Sequence, residues 1–578
     1  MRYPSDDLTP AECARLAPHV TDLDGPVFAL VNLPETVKGA LFARYSRYPG
    51  TLRRLFLDEF ADSLPADDGR GFEGTRAAEG RGFEARDRPA AGRGFEAGDR
   101  PAAGRGFEAG DGPAAGRGFE AGEGRRAAEL YERIFVGYGD DSVAQLGGAH
   151  VACEWVSNVL TKTLQRPRLA AYLEQSTRYI AYDAPMPGGG YRFYRDDALG
   201  PEYEAAMTAL FDAYAEALPR VRAWVDDTFP RADGEPPAAR RRAVNAKALD
   251  LLRGLLPAAS LSHMGIYATG QAYEQLILHL LADPLPEARA YGGMILDAIK
   301  ATMPSFVSRV ERPERGGEWV AYLERRREAA EAWVARLGLD RREPAPEDRP
   351  SVRLLHVDGD EDRLLAALLF ESATAGEEET LETVRGLGDD ERARLLGDLV
   401  GDRRNRRHRP GRGFEALRYR FEVVSDYGAF RDLQRHRLLT VQWQSLSPDL
   451  GAAVPDEVAA AGCGGVYARA LDRSRAEYER LAAAGLGEAA PYALCLGYRI
   501  RYVLDMNARE AMHLIELRSG REGHPGYRAV AHEMHAQIAA HHPAVAAAMD
   551  HIDRSSEPRL ERILAEMRND ARGPALAG

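Results

Sequence analysis

The residues best suited to chemistry are Arg435, His436 and Arg437, followed after seven residues by Ser445, in FRDLQRHRLLTVQWQS. Two permanent charges flank one imidazole, the only group of the three that titrates near neutral pH. Guanidinium is a planar donor fork that matches a phosphate, a carboxylate or an anionic ring. The stretch therefore suits an anionic ligand. Taken alone, the tripeptide reads as a solvated basic turn or a structural ion-pair cluster. Arg407-His408-Arg409 repeats it without a serine at the right distance.

The same frame occurs earlier in the chain. Arg166, Arg168 and Ser176 in RPRLAAYLEQS have the spacing of Arg435, Arg437 and Ser445 in RHRLLTVQWQS. Both frames follow an amphipathic run and precede a strongly apolar helical stretch, YEQLILHLL in one part and AREAMHLIEL in the other. A repeat of this length means a duplicated domain rather than a repeat array.

Two such domains fit within 578 residues, which is too long for one typical domain. The spacing gives a first domain over 28–310 after an arm at 1–27, and a charged helix and linker over 311–350. A second domain covers 351–578. GRGFE recurs at Gly69, Gly80, Gly92, Gly104 and Gly116. One Phe per short repeat cannot offset the ordering entropy, so 65–126 is expected to be a disordered insertion.

Helices are expected from Phe28 onward, on either side of Asp140-Asp141-Ser142, through most of 201–229 and 237–304, and at 468–486 and 502–518. ALRYRFEVV (416–424) alternates as a strand does.

Composition narrows the function. With no run of about eighteen apolar residues and no basic-then-apolar start, neither a membrane span nor a signal peptide is expected, which implies a cytoplasmic protein. The net charge of −13 argues against non-specific nucleic-acid binding. Four scattered cysteines form no C-x-x-C, and the late histidines His532, His535, His541 and His542 have no tidy ligand spacing, so no metal is expected.

R-H-R-x7-S resembles the signature of the flavin-dependent thymidylate synthases, whose fuller pattern is R-H-R-x5-E-x-S-x-R-Y. Asn507-Ala508-Arg509-Glu510, His513, Leu517-Arg518 and GHPGYR (523–528) are similar to that family's downstream block. The first part resembles the family through GDDSVAQLGG, the set Glu174, Ser176, Arg178 and Tyr179, and Arg253-x-x-x-Pro257. The losses are complementary. The first part has Pro167 for the His and GQAYEQ for N-x-R. The second has Trp443, Ser447 and Pro448 for the Glu, Arg and Tyr, Asp432 for a Gln, and Pro491 for an Arg.

The resemblance implies an α+β fold of two tandem domains, each a mostly antiparallel sheet flanked by long helices. It implies FAD as cofactor, NADPH and methylenetetrahydrofolate as co-substrates, and dUMP as the nucleotide methylated to dTMP. By the same resemblance, Arg435, His436, Arg437, Asn507, Arg509 and His513 would hold the flavin. Glu174, Ser176, Arg178, Arg253, Ser445 and Arg518 would hold the nucleotide, with Arg518 and His436 as the catalytic candidates. A homo-oligomer, a pseudo-tetrameric dimer, follows from the family's tetramer. The competing readings are a related flavin enzyme for another pyrimidine nucleotide and a non-catalytic nucleotide-binding homologue.

Overall fold

The computed structural model describes residues 3–4, 6–63, 129–131, 133–134, 141–186, 188–231, 233–340, 350–555 and 559–571. The GRGFE insertion read over 65–126 lies outside them, as does most of the linker after Asp340.

Two four-stranded antiparallel sheets carry the two parts of the chain. In the first, β1 (Val27–Leu30), β2 (Gly148–Ser157), β3 (Ala170–Glu174) and β4 (Leu261–Thr269) run in the order β1-β2-β4-β3. In the second, β5 (Ser351–Asp358), β6 (Arg418–Asp426), β7 (Thr440–Trp443) and β8 (Arg499–Asn507) run in the order β5-β6-β8-β7. The fold is α+β, twice over.

Registers match rung for rung. Glu174 pairs with Met264 as Trp443 pairs with Tyr502, and Gly148 pairs with Thr269 as Arg418 pairs with Asn507. A bulge between Cys153 and Val156 lengthens β2 by one residue, and Trp155 there has φ +57°.

Several stretches expected to be helical are strands. Val27–Leu30 and the buried β2 and β4 are near-continuous apolar runs, which lack the alternation that marks a half-exposed strand. The span 502–518 divides at Asn507 into the end of β8 and the helix Ala508–Arg518. Residues 10–16 form a short helix with a Thr9–Glu12 capping box, and its Leu16 is buried with Phe28 and Phe56.

The two parts share one core. A single cluster runs from Tyr203, Phe211 and Leu249 to Tyr419, Tyr492 and Leu514. At its centre the chains meet as mirror-paired backbone. Ala258 N donates to Leu494 O (2.7 Å) and Leu496 N to Leu256 O (2.8 Å). Ala259 N donates to Tyr492 O (3.0 Å) and Gly497 N to Gly254 O (2.9 Å). Placing Arg253 on Pro491 and Thr269 on Asn507 turns each bond of a pair into the other. A pseudo-twofold axis therefore passes by the Pro257–Cys495 bridge. The long helices Gly200–Thr228 and Gly464–Ala483 pack on each other. No helix among the described residues is long and apolar enough to cross a membrane.

Candidate functional site

Element ends deliver the side chains. β6 ends at Asp426, whose Oδ1 accepts from Ala429 N (2.8 Å) to cap the helix Tyr427–Leu433. That helix presents Arg431 and Asp432, and Arg435-His436-Arg437 follows it directly. β8 ends at Asn507, which caps the helix Ala508–Arg518 through Glu510 N (2.9 Å). Arg518 is that helix's last residue. His524 caps Pro525–His541, with Tyr527 in its first turn. From the first part, β3 ends at Glu174, and Arg253 opens the short turn after Pro237–Leu252.

Glu174 ties the two parts together. Its buried carboxylate accepts from Lys162 Nζ (3.0 Å), Gln165 Nε2 (2.6 Å), Arg431 (2.6 Å) and Arg435 (2.9 Å). Burial alone would raise its pKa, but Lys162, Arg431 and Arg435 hold it well below the usual carboxylate value. Both oxygens are thus taken up within the protein.

Arg178 is locked as well. It donates to both oxygens of buried Asp250 at 2.5 Å, and reaches across to Tyr527 OH and Glu522 O at 3.3 Å. Ser176 Oγ accepts from Arg178 N (3.3 Å) in the same turn.

Arg253 is different. Its NH1 donates to Asp432 (3.3 Å) and Asp426 stands 3.6 Å from its NH2, yet Nε and NH2 are buried without a hydrogen-bond partner among the described residues. It lies so close to Gly428 that a Cβ there would meet its Nε at 2.8 Å. Asp432, half-buried and under the charge of Arg435, Arg253, Arg518 and Arg178, is held well below the usual carboxylate value although its desolvation acts the other way.

Beside this lies a second linked group. His436 Nδ1 is 3.0 Å from Glu510 Oε1, and Arg518 Nε donates to His436 Nε2 at 3.0 Å. His513 sets its ring edge-on to His436, with centroids 5.4 Å apart. The ligand atoms of His436, Glu510 and His513 fall within 4.8 Å of one another. Arg518, Arg409 and Arg406 press on the two imidazoles, and that field opposes a cation.

Three residues predicted for this site are elsewhere engaged. Asn507 uses its side chain as a helix cap. Arg509 turns to Pro410 O (2.9 Å) and Glu415 (3.4 Å). Ser445 is exposed just past the end of β7, at the register position equivalent to Ser176, and so belongs to the other side of the pseudo-twofold axis. Arg437 is exposed and lies near Tyr172.

Residues 112–305 and 353–544 match the Thy1 family, described as thymidylate synthase complementing protein. The chain belongs to the Thy1 family. It is 34% identical over 575 residues to a UPF0159 protein of Chlamydia muridarum, covering 98% of this chain and 99% of that one. A UPF0159 protein of Thermoplasma acidophilum is 31% identical over 477 residues, or 77% of this chain and 93% of its own. Among solved structures, a UMP/dUMP methylase, PolB, from Streptomyces cacaoi bound with 5-Br dUMP is similar at 20% identity and a TM-score of 0.29. It covers 36% of this chain and 99% of that one. So slight a likeness carries no argument.

The two Thy1 segments make unlike sites at equivalent places. Where Glu174 meets Arg435, the counterpart has Trp443, with Arg166 over its ring at 5.2 Å. The helix Glu318–Arg336 adds Arg327, which donates to Ala282 O (2.5 Å) and acts on Asp283 and Glu488, while Arg326 acts on Arg166.

Sequence reasoning singled out neither Lys162 nor Arg431 or Asp250, and it matched Glu510 to the family's downstream block without giving it a role. A signal existed for the first two, because KTLQRPR and RDLQRHR place a cation four residues before each arginine frame. The arginines of DRRNRRHR, read as a solvated run, include Arg403, which is buried on Glu516 at 2.6 and 2.8 Å.

Burial, with arginine charge adding to it, pushes the pKa of His436 and His524 well down and that of His513 to about 4. Unfolded histidine titrates near about 6.5, so the folded state binds fewer protons between these values. Stability from these rings is complete above about pH 6.5 and is lost as pH falls toward about 4. The denaturation midpoint is expected to drop between pH 6.5 and 4.5. A flat midpoint in urea titrations across that window would contradict the buried neutral imidazoles.

Proposed function

We propose that the protein is a flavin-dependent thymidylate synthase that methylates C5 of dUMP. One observation carries this reading beyond family membership. Four guanidiniums drawn from both Thy1 segments act on Asp432, and one of them, Arg253, keeps Nε and NH2 buried without a hydrogen bond among the described residues, the Asp426 carboxylate standing 3.6 Å from NH2. An unmet buried donor pair on a cation is costly unless an anion completes it. The phosphate of a nucleotide would do so.

The residues also suit a flavin. Exposed Arg435 and Arg437 flank buried His436, with Arg406 and Arg409 near His513. These donors fit a pyrophosphate and a ring that turns anionic on reduction. Bound FAD, recharged by NADPH, would supply the hydride, and methylenetetrahydrofolate the methylene.

The chain's own residues then divide the work. Arg253 takes the phosphate with Nε and NH2. Arg518, held through Nε by His436 and bonded to Tyr527, would turn an N–H left free by these two to the pyrimidine carbonyl and stabilise the charge that builds as C5 becomes nucleophilic. Glu174 has no oxygen left for the nucleotide and positions Arg435 instead, whereas Ser176, which accepts from Arg178 N, still has its hydroxyl proton to donate. None of the four cysteines joins this group, and the reading needs no enzyme nucleophile. By register Trp443 and Ser447 stand at the counterpart of Glu174 and Arg178, which supports dUMP over another pyrimidine as substrate. Units of 28–310 and 351–578, paired in a dimer of chains, complete the proposal.

The purified protein is expected to be yellow, with a flavin band that bleaches on NADPH plus dUMP, and to rescue a thymidine auxotroph. A colourless protein that takes up no added FAD would overturn the reading.

A further inference from the structure

Glu510 carries no role in the proposed reaction, yet it is buried and faces the imidazole that Arg518 leans on. Its place is rigid. Asn507 Oδ1 fixes its backbone at the first turn of Ala508–Arg518, where the positive end of the helix favours a carboxylate. From there Oε1 lies 3.0 Å from His436 Nδ1.

Hydrogen-bond accounting sets the tautomer. A guanidinium can only donate. Arg518 Nε, at 3.0 Å, therefore requires His436 Nε2 to be the acceptor. The ring proton must then sit on Nδ1, where Glu510 accepts it. With both nitrogens engaged, His436 is no free base. We propose that Glu510 is a positioning residue: it pins His436 in the Nδ1–H form, and His436, with Tyr527 bonded to the same guanidinium, in turn holds Arg518 in place at the site. Without Glu510 the ring is free to carry its proton on Nε2, directly against the Arg518 Nε–H, and the arginine loses its support.

The duplication supplies an independent observation. By register His436 corresponds to Pro167. Both apolar helices start from a capped residue, Thr269 and Asn507, which matches Glu510 to Ala272 and Arg518 to Leu280. The counterpart has lost all three members, and none can act without the others. Asn507, by comparison, keeps a capping equivalent in Thr269. The cap survives alone because it serves the helix, and the relay does not.

The functional part of this inference rests on Arg518 facing the pyrimidine; the tautomer does not. The full-length protein, labelled with 15N-histidine, separates the two. Wild-type His436, assigned with a His436→Asn variant, is expected to give the nitrogen shifts of an Nδ1–H ring. In Glu510→Ala that signal should move toward the Nε2–H form. Glu510→Gln, whose amide oxygen still accepts from Nδ1–H, should retain it.

With dUMP, Glu510→Ala is expected to lose about 100-fold in kcat, the scale of an arginine misplaced by about 1 Å, with KM little changed. Glu510→Gln should stay within about fivefold of wild type. An Nε2–H ring in the wild type, or an active wild type matched by Glu510→Ala within twofold, would overturn the proposal. Should Glu510→Ala fail to fold, the wild-type tautomer and the Gln variant still decide it. If the wild type turns over no dUMP while its ring is Nδ1–H, the failure belongs to the functional reading.

Discussion

Glu174→Ala is expected to destabilise the protein by about 3–5 kcal/mol, the cost of removing one partner from a buried ion cluster. The side chain is 1% exposed, and Lys162 and Arg431, also buried, would be left facing each other without a counter-charge. Arg431 belongs to the second Thy1 segment, so the loss should loosen the junction of the two parts and not β3 alone. The counterpart offers a built-in control. Arg166 stands over the Trp443 ring with no salt bridge to it among the described residues, Asp283 and Arg326 acting on it from farther off, and Arg166→Ala should cost under about 1 kcal/mol, the usual worth of an exposed cation–π contact. Urea titration of both variants measures the difference. Equal, small losses would mean that Glu174 is not the tie between the parts.

The second large effect is expected from Arg253→Ala. This residue lies in the segment that lacks R-H-R, yet beside the NH1 it gives to Asp432 it holds Nε and NH2 buried without a hydrogen bond among the described residues. Two charge-assisted bonds at about 1.5–3 kcal/mol each would weaken nucleotide binding by about 10²–10⁴-fold. Asp432 keeps Arg435, Arg518 and Arg178 near it in the variant, so the fold should survive. Pro491→Ala, at the equivalent place in the second segment, should leave affinity unchanged. Equilibrium dialysis with labelled dUMP reads both. A loss below about fivefold for Arg253→Ala would reduce it to a structural cation.

What could be read from the sequence follows from where each residue's partners lie. The arginine frames, N-x-R and the duplication stand in local spacing and were legible at once, as was β6, whose RYRFEVV alternates with one face buried. β2 and β4 passed for helices because a central strand covered on both faces shows no period of two, while β8 alternates and was lost by running without a break into the helix that follows it. Glu174 looked like a nucleotide ligand. Its true neighbours Arg431 and Arg435 come from the other end of the chain, and no local pattern records that meeting. Arg509 was matched by spacing to a flavin, but spacing does not reveal the Pro410 carbonyl that turns it away. Glu510 stood in the matched block yet drew no role, for the opposite reason. At the third position after Asn507 a Glu reads as ordinary helix-start chemistry, and its bond to His436 needs the fold.

The central claim is that one site per chain is built jointly by the two Thy1 segments, while its pseudo-twofold counterpart is closed. Calorimetric titration of the full chain with dUMP, in the presence of FAD, tests this most directly. One nucleotide per chain is expected, and Arg253→Ala in one segment or Arg518→Ala in the other should each bring the count to zero at concentrations that saturate the wild type. Two nucleotides per chain, or a full site surviving either substitution, would contradict it.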